Sequence, residues 1–160
     1  MAQVRVFDKD ARLYFKKMFR RAEDFRPIFR WARDELERSN RQNFATSGTA
    51  SGRPWSPLDT EYSRWKLANA GPKPLLVFDG TLRRSLTSLR GRPNEIDKKK
   101  AVFGTDIEYA KFHQFGTRKM PQRKIVFVPP FFAEEMAARI ANYVVNGELG
   151  SRGTLLRRAF

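Results

Sequence analysis

The sequence predicts an α+β fold, with N-terminal helices and a C-terminal helix packed on a small antiparallel β-sheet, a long loop and a mobile C-terminal tail. Three observations carry this expectation. Apolar residues recur every three or four positions from Ala11 to Phe44. The second half then breaks into short apolar runs separated by turn dipeptides. Helical spacing returns after Pro129-Pro130 and runs to Asn146.

Phe15, Phe19, Ala22, Phe25, Phe29, Ala32 and Leu36 follow one another at steps of three or four, which places them on one helical face. Pro27 interrupts the run; lacking an amide, it starts a second helix rather than sitting inside a long one. The expected helices are Asp8 to Asp24 and Pro27 to Phe44. The polar face of the second carries Arg30, Arg33, Asp34, Glu37, Arg38 and Arg41 and reads as solvated, with Asp34 and Arg38 four apart in the stabilising order.

Residues 45–57, ATSGTASGRPWSP, form a loop of unusual length for a small domain, and Trp55 within it reads as an anchor into the core. Leu58 to Ala68 follows as a short helix with Tyr62 and Trp65 one turn apart, ended by Asn69-Ala70-Gly71-Pro72. Leu75 to Phe78 is an apolar run stopped by Asp79-Gly80. Ser85 to Arg90 alternates loosely, and Ala101-Val102-Phe103 lies between a lysine run and Gly104. Two antiparallel strands turning at Gly91-Arg92-Pro93-Asn94 satisfy this pattern. Tyr109 to Gln114 reads as a short helix and Ile125 to Val128 as another strand. Phe131 to Asn146 reads as an amphipathic helix with Phe132, Met136, Ile140, Tyr143 and Val144 inward, stopped by Gly147. This organisation predicts one domain over 1–150 and a basic tail over 151–160.

The 160 residues include 32 Lys plus Arg against 17 Asp plus Glu, a net charge of +15, and no cysteine. Without thiols there is no disulfide framework, thiolate zinc site, iron-sulfur cluster or cysteine nucleophile. His113 is the single histidine, which argues against an imidazole-rich metal site, and no cofactor is expected. Met1 to Phe15 carries five charged side chains and no signal-type apolar run, and nothing approaches the roughly 20 apolar residues of a spanning helix, so a soluble protein of a reducing compartment is expected, with no membrane partner.

A catalytic centre would have to be built on His113 beside a serine or threonine, or on unseen carboxylate pairs, since Glu134 and Glu135 are adjacent on a helix and point apart. No nucleophile elbow or phosphate-cradling glycine loop is present. The chain therefore reads as a non-enzyme, and a hydrolase reading rests on His113 alone.

Charge of this sign suits nucleic acid, an acidic protein surface or anionic lipid, and equally a merely solvated surface; composition does not choose. Arg83, Arg84, Arg90, Arg92, Lys98, Lys99 and Lys100 put seven positive charges within eighteen residues, and Arg157 and Arg158 add to them in the tail. These are the candidate contacts for DNA or an acidic partner. No zinc-finger, helix-turn-helix or RNA-binding signature accompanies them, so a sequence-nonspecific, salt-sensitive nucleic-acid-binding protein stands as the alternative function.

Four pieces in order give a resemblance. They are Asn43-Phe44 with the loop into Trp55-Ser56-Pro57-Leu58; Tyr62 and Trp65-Lys66 followed by Gly80-Thr81-Leu82-Arg83-Arg84-Ser85-Leu86; Gly104-Thr105 leading to Tyr109-Ala110-Lys111-Phe112-His113-Gln114-Phe115-Gly116; and Met120-Pro121-Gln122-Arg123 before the last helix. Together they resemble the phage virion-morphogenesis family of small tail-completion, or neck, proteins, over about residues 10 to 146. The family pattern has W-x-P-L, a G-x-L-x-x-S turn into a strand, Y-A-x-x-H-x-x-G and M/I-P-x-R. The chain departs from it by inserting Lys124-Ile125-Val126-Phe127-Val128 before Pro129.

The resemblance marks Trp55, Gly80, Leu82, Tyr109, His113, Gly116, Pro121 and Arg123 as motif residues, mainly structural. Gly80 and Gly116 fit turns with positive φ, and Tyr109, His113 and Phe115 are expected to lock a short helix against the sheet. What it implies is a structural virion protein made in the host bacterial cytoplasm. It would form a homo-oligomeric ring, six-fold or twelve-fold, in the neck or tail end. Its implied partners are portal or head-tail connector proteins, tail terminator or tail tube proteins, and the packaged DNA in the channel.

Overall fold

Pro27 divides the N-terminal helical run as its missing amide requires: α1 spans Asp8–Ala22, and α2, Arg26–Ala45, carries Pro27 in its first turn. This computed structural model describes residues 8–150. At the corner, the Asp24 carboxylate accepts from the Arg26 amide at 3.1 Å and from its guanidinium, and these bonds hold the acid down at about 2. The remaining elements are a 3-10 turn at Thr49–Ser51, α3 (Thr60–Ala70), α4 (Thr81–Thr87), β1 (Glu95–Ile96), β2 (Ala101–Val102), α5 (Ala110–Phe115) and α6 (Phe132–Asn146). The α+β class holds, with six helices and one small antiparallel pair among the described residues. None of those helices is long and apolar enough to cross a membrane.

Contacts sort the described residues into two units, 8–30 with 96–100 and 131–150, and 31–95 with 101–130. In the first, α1 packs on α6. Arg21 donates to the Val144 and Val145 carbonyls at 3.1 and 2.7 Å, closing the C-terminal end of α6 before Gly147. Phe132, Met136, Ile140, Tyr143 and Val144 are half-buried as expected. The buried residue of α6 is Arg139, paired with Glu135 at 2.8 Å and donating to Gly150 O at 2.6 Å. Phe15 and Phe19 depart from expectation. They are 56% and 72% exposed, and no residue of α1 is buried, because Ala11, Met18 and Ala22 at the centre of the stripe supply its contact face.

The second unit has its core in Phe44, Trp55, Val77, Leu82, Leu86, Ala110 and Ile125, none of them in a strand. Of the strand expected over Ser85–Arg90, residues 85–87 are the end of α4 and the rest is irregular, because Leu82 and Leu86, four apart, turn one helical face inward and Leu89 is buried just beyond it. The family pattern's turn into a strand is therefore a turn into a helix here. The hairpin turn is also displaced: Asp97–Lys100 closes β1 on β2, with the Asp97 amide donating to Lys100 O at 2.8 Å, while 91–94 precedes the hairpin.

Residues 125–128 join no strand either. Their neighbours are side chains: Gln114 Oε1 accepts from the Ile125 and Val126 amides at 2.9 and 3.0 Å, and Asn40 Oδ1 accepts from Phe127 N at 3.1 Å. Lys124 O receives both Asn43 Nδ2 and Trp55 Nε1 at 2.9 Å. A buried main chain must find partners, and here polar side chains replace a ladder.

The polar face of α2 is less solvated than its sequence suggests. Glu37 is buried, accepting from the Leu89 amide at 2.8 Å and pairing with Arg41 at 3.0 Å. Arg38 pairs with Glu35 and Asp34 with Arg33, so the expected Asp34–Arg38 pair does not form. The 151–160 tail, with Arg157 and Arg158, lies outside the described residues.

Candidate functional site

One open groove of about 590 Å³ lies on the second unit. Its first wall is α3, whose N-terminus is capped by Asp59, the carboxylate accepting from Glu61 N at 2.9 Å and Tyr62 N at 3.4 Å. Lys66, the one buried residue of α3, donates to Lys73 O at 3.1 Å and Pro74 O at 2.6 Å, folding the 71–78 segment against the helix. Burial, and then the Lys73 charge, lowers the Lys66 pKa. Phe78 thereby stacks on Trp65 at 5.6 Å and Trp65 on Tyr62 at 5.6 Å, three partly exposed rings in a row.

Asp79 turns the chain into α4, accepting from Thr81 N at 2.9 Å and Thr81 Oγ1 at 2.5 Å, bonds that lower its pKa. Leu82 forms the floor. The opposite wall is α5 and the segment after it, with Tyr109, Phe112, Met120 and Pro121 facing the opening. Gly116 ends α5 at φ 75°; a Cβ there would sit 2.9 Å from Gln122 N, so the position requires glycine twice over. Arg123, buried behind the groove, donates Nε to Ser56 O and Nη2 to Pro57 O, both at 2.8 Å.

Five of the eight motif residues, Leu82, Tyr109, His113, Pro121 and Arg123, line this groove. The others support it. Trp55 anchors in the core as expected, Gly80 precedes α4 at φ 87°, and Gly116 sets the bend after α5. Phe115 does not lock α5 inward; it is 75% exposed, because five residues beyond the buried Ala110 lie roughly 140° around the helix. Tyr109 meets His113 edge to face at 6.2 Å but is itself half-exposed.

The candidate cations do not form one hairpin patch. Arg83 and Arg84 stand on α4, with Arg84 donating to Asp79 O at 3.0 Å and Thr81 Oγ1 at 3.2 Å; Arg90 and Arg92 follow in the turn. Lys98, Lys99 and Lys100 belong to the other unit, where Lys99 donates to Ala22 O and lies 5.2 Å from the Phe25 ring. All seven side chains are exposed.

The groove is therefore largely apolar, with its inward cations and helix-capping acids bonded to neighbouring groups. His113 is the exception: its Nδ1 is buried with no hydrogen-bond partner. Burial, then the Arg123 charge, lowers its pKa below the ordinary 6.5. The unfolded chain then takes the proton more readily, so stability is complete above about pH 6.5 and falls as pH drops toward the folded value. A falling urea midpoint between about pH 7.5 and 5.5, flattened in His113→Gln, is the expected result; an unchanged slope in the variant would show that other groups carry the dependence.

A comparison of the whole chain with known families decides its affiliation. The model described as the phage virion morphogenesis family matches residues 6–143, which takes in all four motif segments and every residue of the groove. The chain belongs to that family. Comparisons with curated proteins and with solved structures gave no match. As a phage virion morphogenesis protein, the chain serves the structure or assembly of the virion and is virion-associated. Among the described residues, no group of three or more acids or histidines is placed to hold a metal ion.

Sequence reasoning reached the motif residues but missed their setting. Asp59 and Asp79 at the mouth, and Phe78 stacked on Trp65, were legible only as part of a short helix, a turn and an apolar run. Their meeting depends on Lys66 drawing 73–74 back onto α3.

Proposed function

We propose that this virion morphogenesis protein is a non-enzymatic ring subunit of the phage neck or tail end, joining or completing head and tail. The observation that carries the reading is the convergence of the family's motif segments on one open groove whose exposed surface is aromatic and whose inner polar groups, His113 Nδ1 apart, are bonded within the chain. Such a surface recognises another protein rather than transforming a substrate. Portal or connector proteins on one side and tail terminator or tail tube proteins on the other are the neighbours this role requires. The exposed Arg83, Arg90, Arg92, Lys98 and Lys100 are the groups offered to channel DNA or to acidic neighbours. Deleting the gene from its phage is expected to leave filled heads and separate or unstable tails by electron microscopy. Normal infectious particles from the deletion would overturn the reading.

A further inference from the structure

Two unpartnered features on this chain are complementary to each other. On α1, Phe15 and Phe19 stand one turn apart and largely exposed, with Lys16 and Arg20 beside them. On the second unit, the groove is lined on its two sides by the apolar Phe78 and by Phe112 and Met120, and its volume accommodates two aromatic side chains. Its mouth carries two carboxylates, with Arg84 close to that of Asp79. Asp59 and Asp79 are exposed there against Lys119, whereas Lys66 and Arg123 are turned onto main-chain carbonyls.

We propose that the groove of one copy receives α1 of a second copy, with Phe15 and Phe19 as anchors and Lys16 and Arg20 set over Asp59 and Asp79. The occupant follows from the chemistry of both sides. An apolar groove with two exposed carboxylates at its mouth suits a basic amphipathic helix, and this chain carries such a helix with its aromatic edge uncovered. A helix and a groove built from different residues of one chain pair head to tail, the interface type that generates a ring where the rotation closes. The inference rests on the ring reading above and names the contact that builds the ring.

The absence of cysteine makes the test clean. Phe19→Cys and Phe112→Cys are prepared in separate full-length chains; both positions are exposed, so neither change threatens the core. Mixed under oxidised glutathione, the two variants are expected to form the mixed disulfide dimer at least roughly tenfold faster than either forms a dimer with itself. Adding Arg20→Glu to the Phe19→Cys chain is expected to slow that reaction. A mixed dimer no faster than the two self-dimers overturns the proposal. So does a dominant Phe19→Cys self-dimer, which would give α1 to another α1, or a Phe112→Cys chain that crosslinks only to other virion proteins in an assembly extract. If crosslinking fails while the deletion phage still yields unjoined heads and tails, the ring reading stands and this contact falls. Crosslinking together with normal deletion particles sinks the neck role and keeps the self-docking.

Discussion

Trp55→Ala is expected to cost about 3–5 kcal/mol of stability, lowering the midpoint of thermal unfolding by on the order of 10 °C. The indole is 5% exposed, meets Phe44 edge to face at 5.2 Å, and donates Nε1 to Lys124 O at 2.9 Å. It also holds the long loop closed: the Trp55 amide donates to Ser47 O at 2.8 Å, and the Gly48 backbone passes so near the ring that a Cβ would lie 2.4 Å from Cδ1. Truncation removes the packing and the hydrogen bond together, whereas Trp55→Phe keeps most of the ring volume and loses the bond, for about 1–2 kcal/mol. Far-UV circular dichroism through urea titrations measures both. A loss below about 1 kcal/mol in the alanine variant would show that the loop is not fastened through this ring.

The helices were legible because a period of three or four survives whatever covers it, and Pro27 and Gly147 mark boundaries by backbone chemistry alone. The period does not say what covers a face. Phe15 and Phe19 read as core by spacing and are surface in the structure, since the contact face of α1 is centred on Ala11, Met18 and Ala22. Short segments were harder for a related reason. Leu82 and Leu86 carried a helical signal that a loose alternation at Ser85–Arg90 concealed. Ile125–Val128 has strand-like side chains, but the main-chain partners of 124–127 are the side chains of Asn40, Asn43, Trp55 and Gln114, from other elements.

The candidate site shows the same division. Tyr109, His113, Pro121 and Arg123 were identifiable as motif residues, and the structure brings them to one groove. The aromatic row was half visible: Tyr62 and Trp65 are one turn apart on α3, while Phe78 joins them only through the fold of 71–78. Nor could spacing reveal that the basic run splits, with Arg83 to Arg92 in one unit and Lys98 to Lys100 in the other.

Asn40→Leu tests whether side chains truly stand in for the missing strand, and it is expected to destabilise by about 2–4 kcal/mol. Asn40 is 2% exposed and bonded at both ends, donating Nδ2 to Leu86 O at 3.0 Å and accepting from Phe127 N at 3.1 Å. Leucine fits the volume but orphans a buried carbonyl and a buried amide at once, at about 1–3 kcal/mol each before the neighbouring chain relaxes. Asn40→Asp separates hydrogen bonding from size. An ionised carboxylate keeps the bond from Phe127 but sets an oxygen against Leu86 O in a buried site, which raises the acid's folded pKa above its unfolded value of about 3.9. The proton is then held more tightly in the folded chain, so the variant is nearest to the parent below about pH 4 and falls away as pH rises. There the protonated acid donates to Leu86 O and accepts from Phe127 N, as the amide does. The measurement is the difference in urea midpoint between Asn40→Asp and the parent across that range. A difference that does not grow with pH would mean that the carbonyl of Leu86 does not depend on the Asn40 amide.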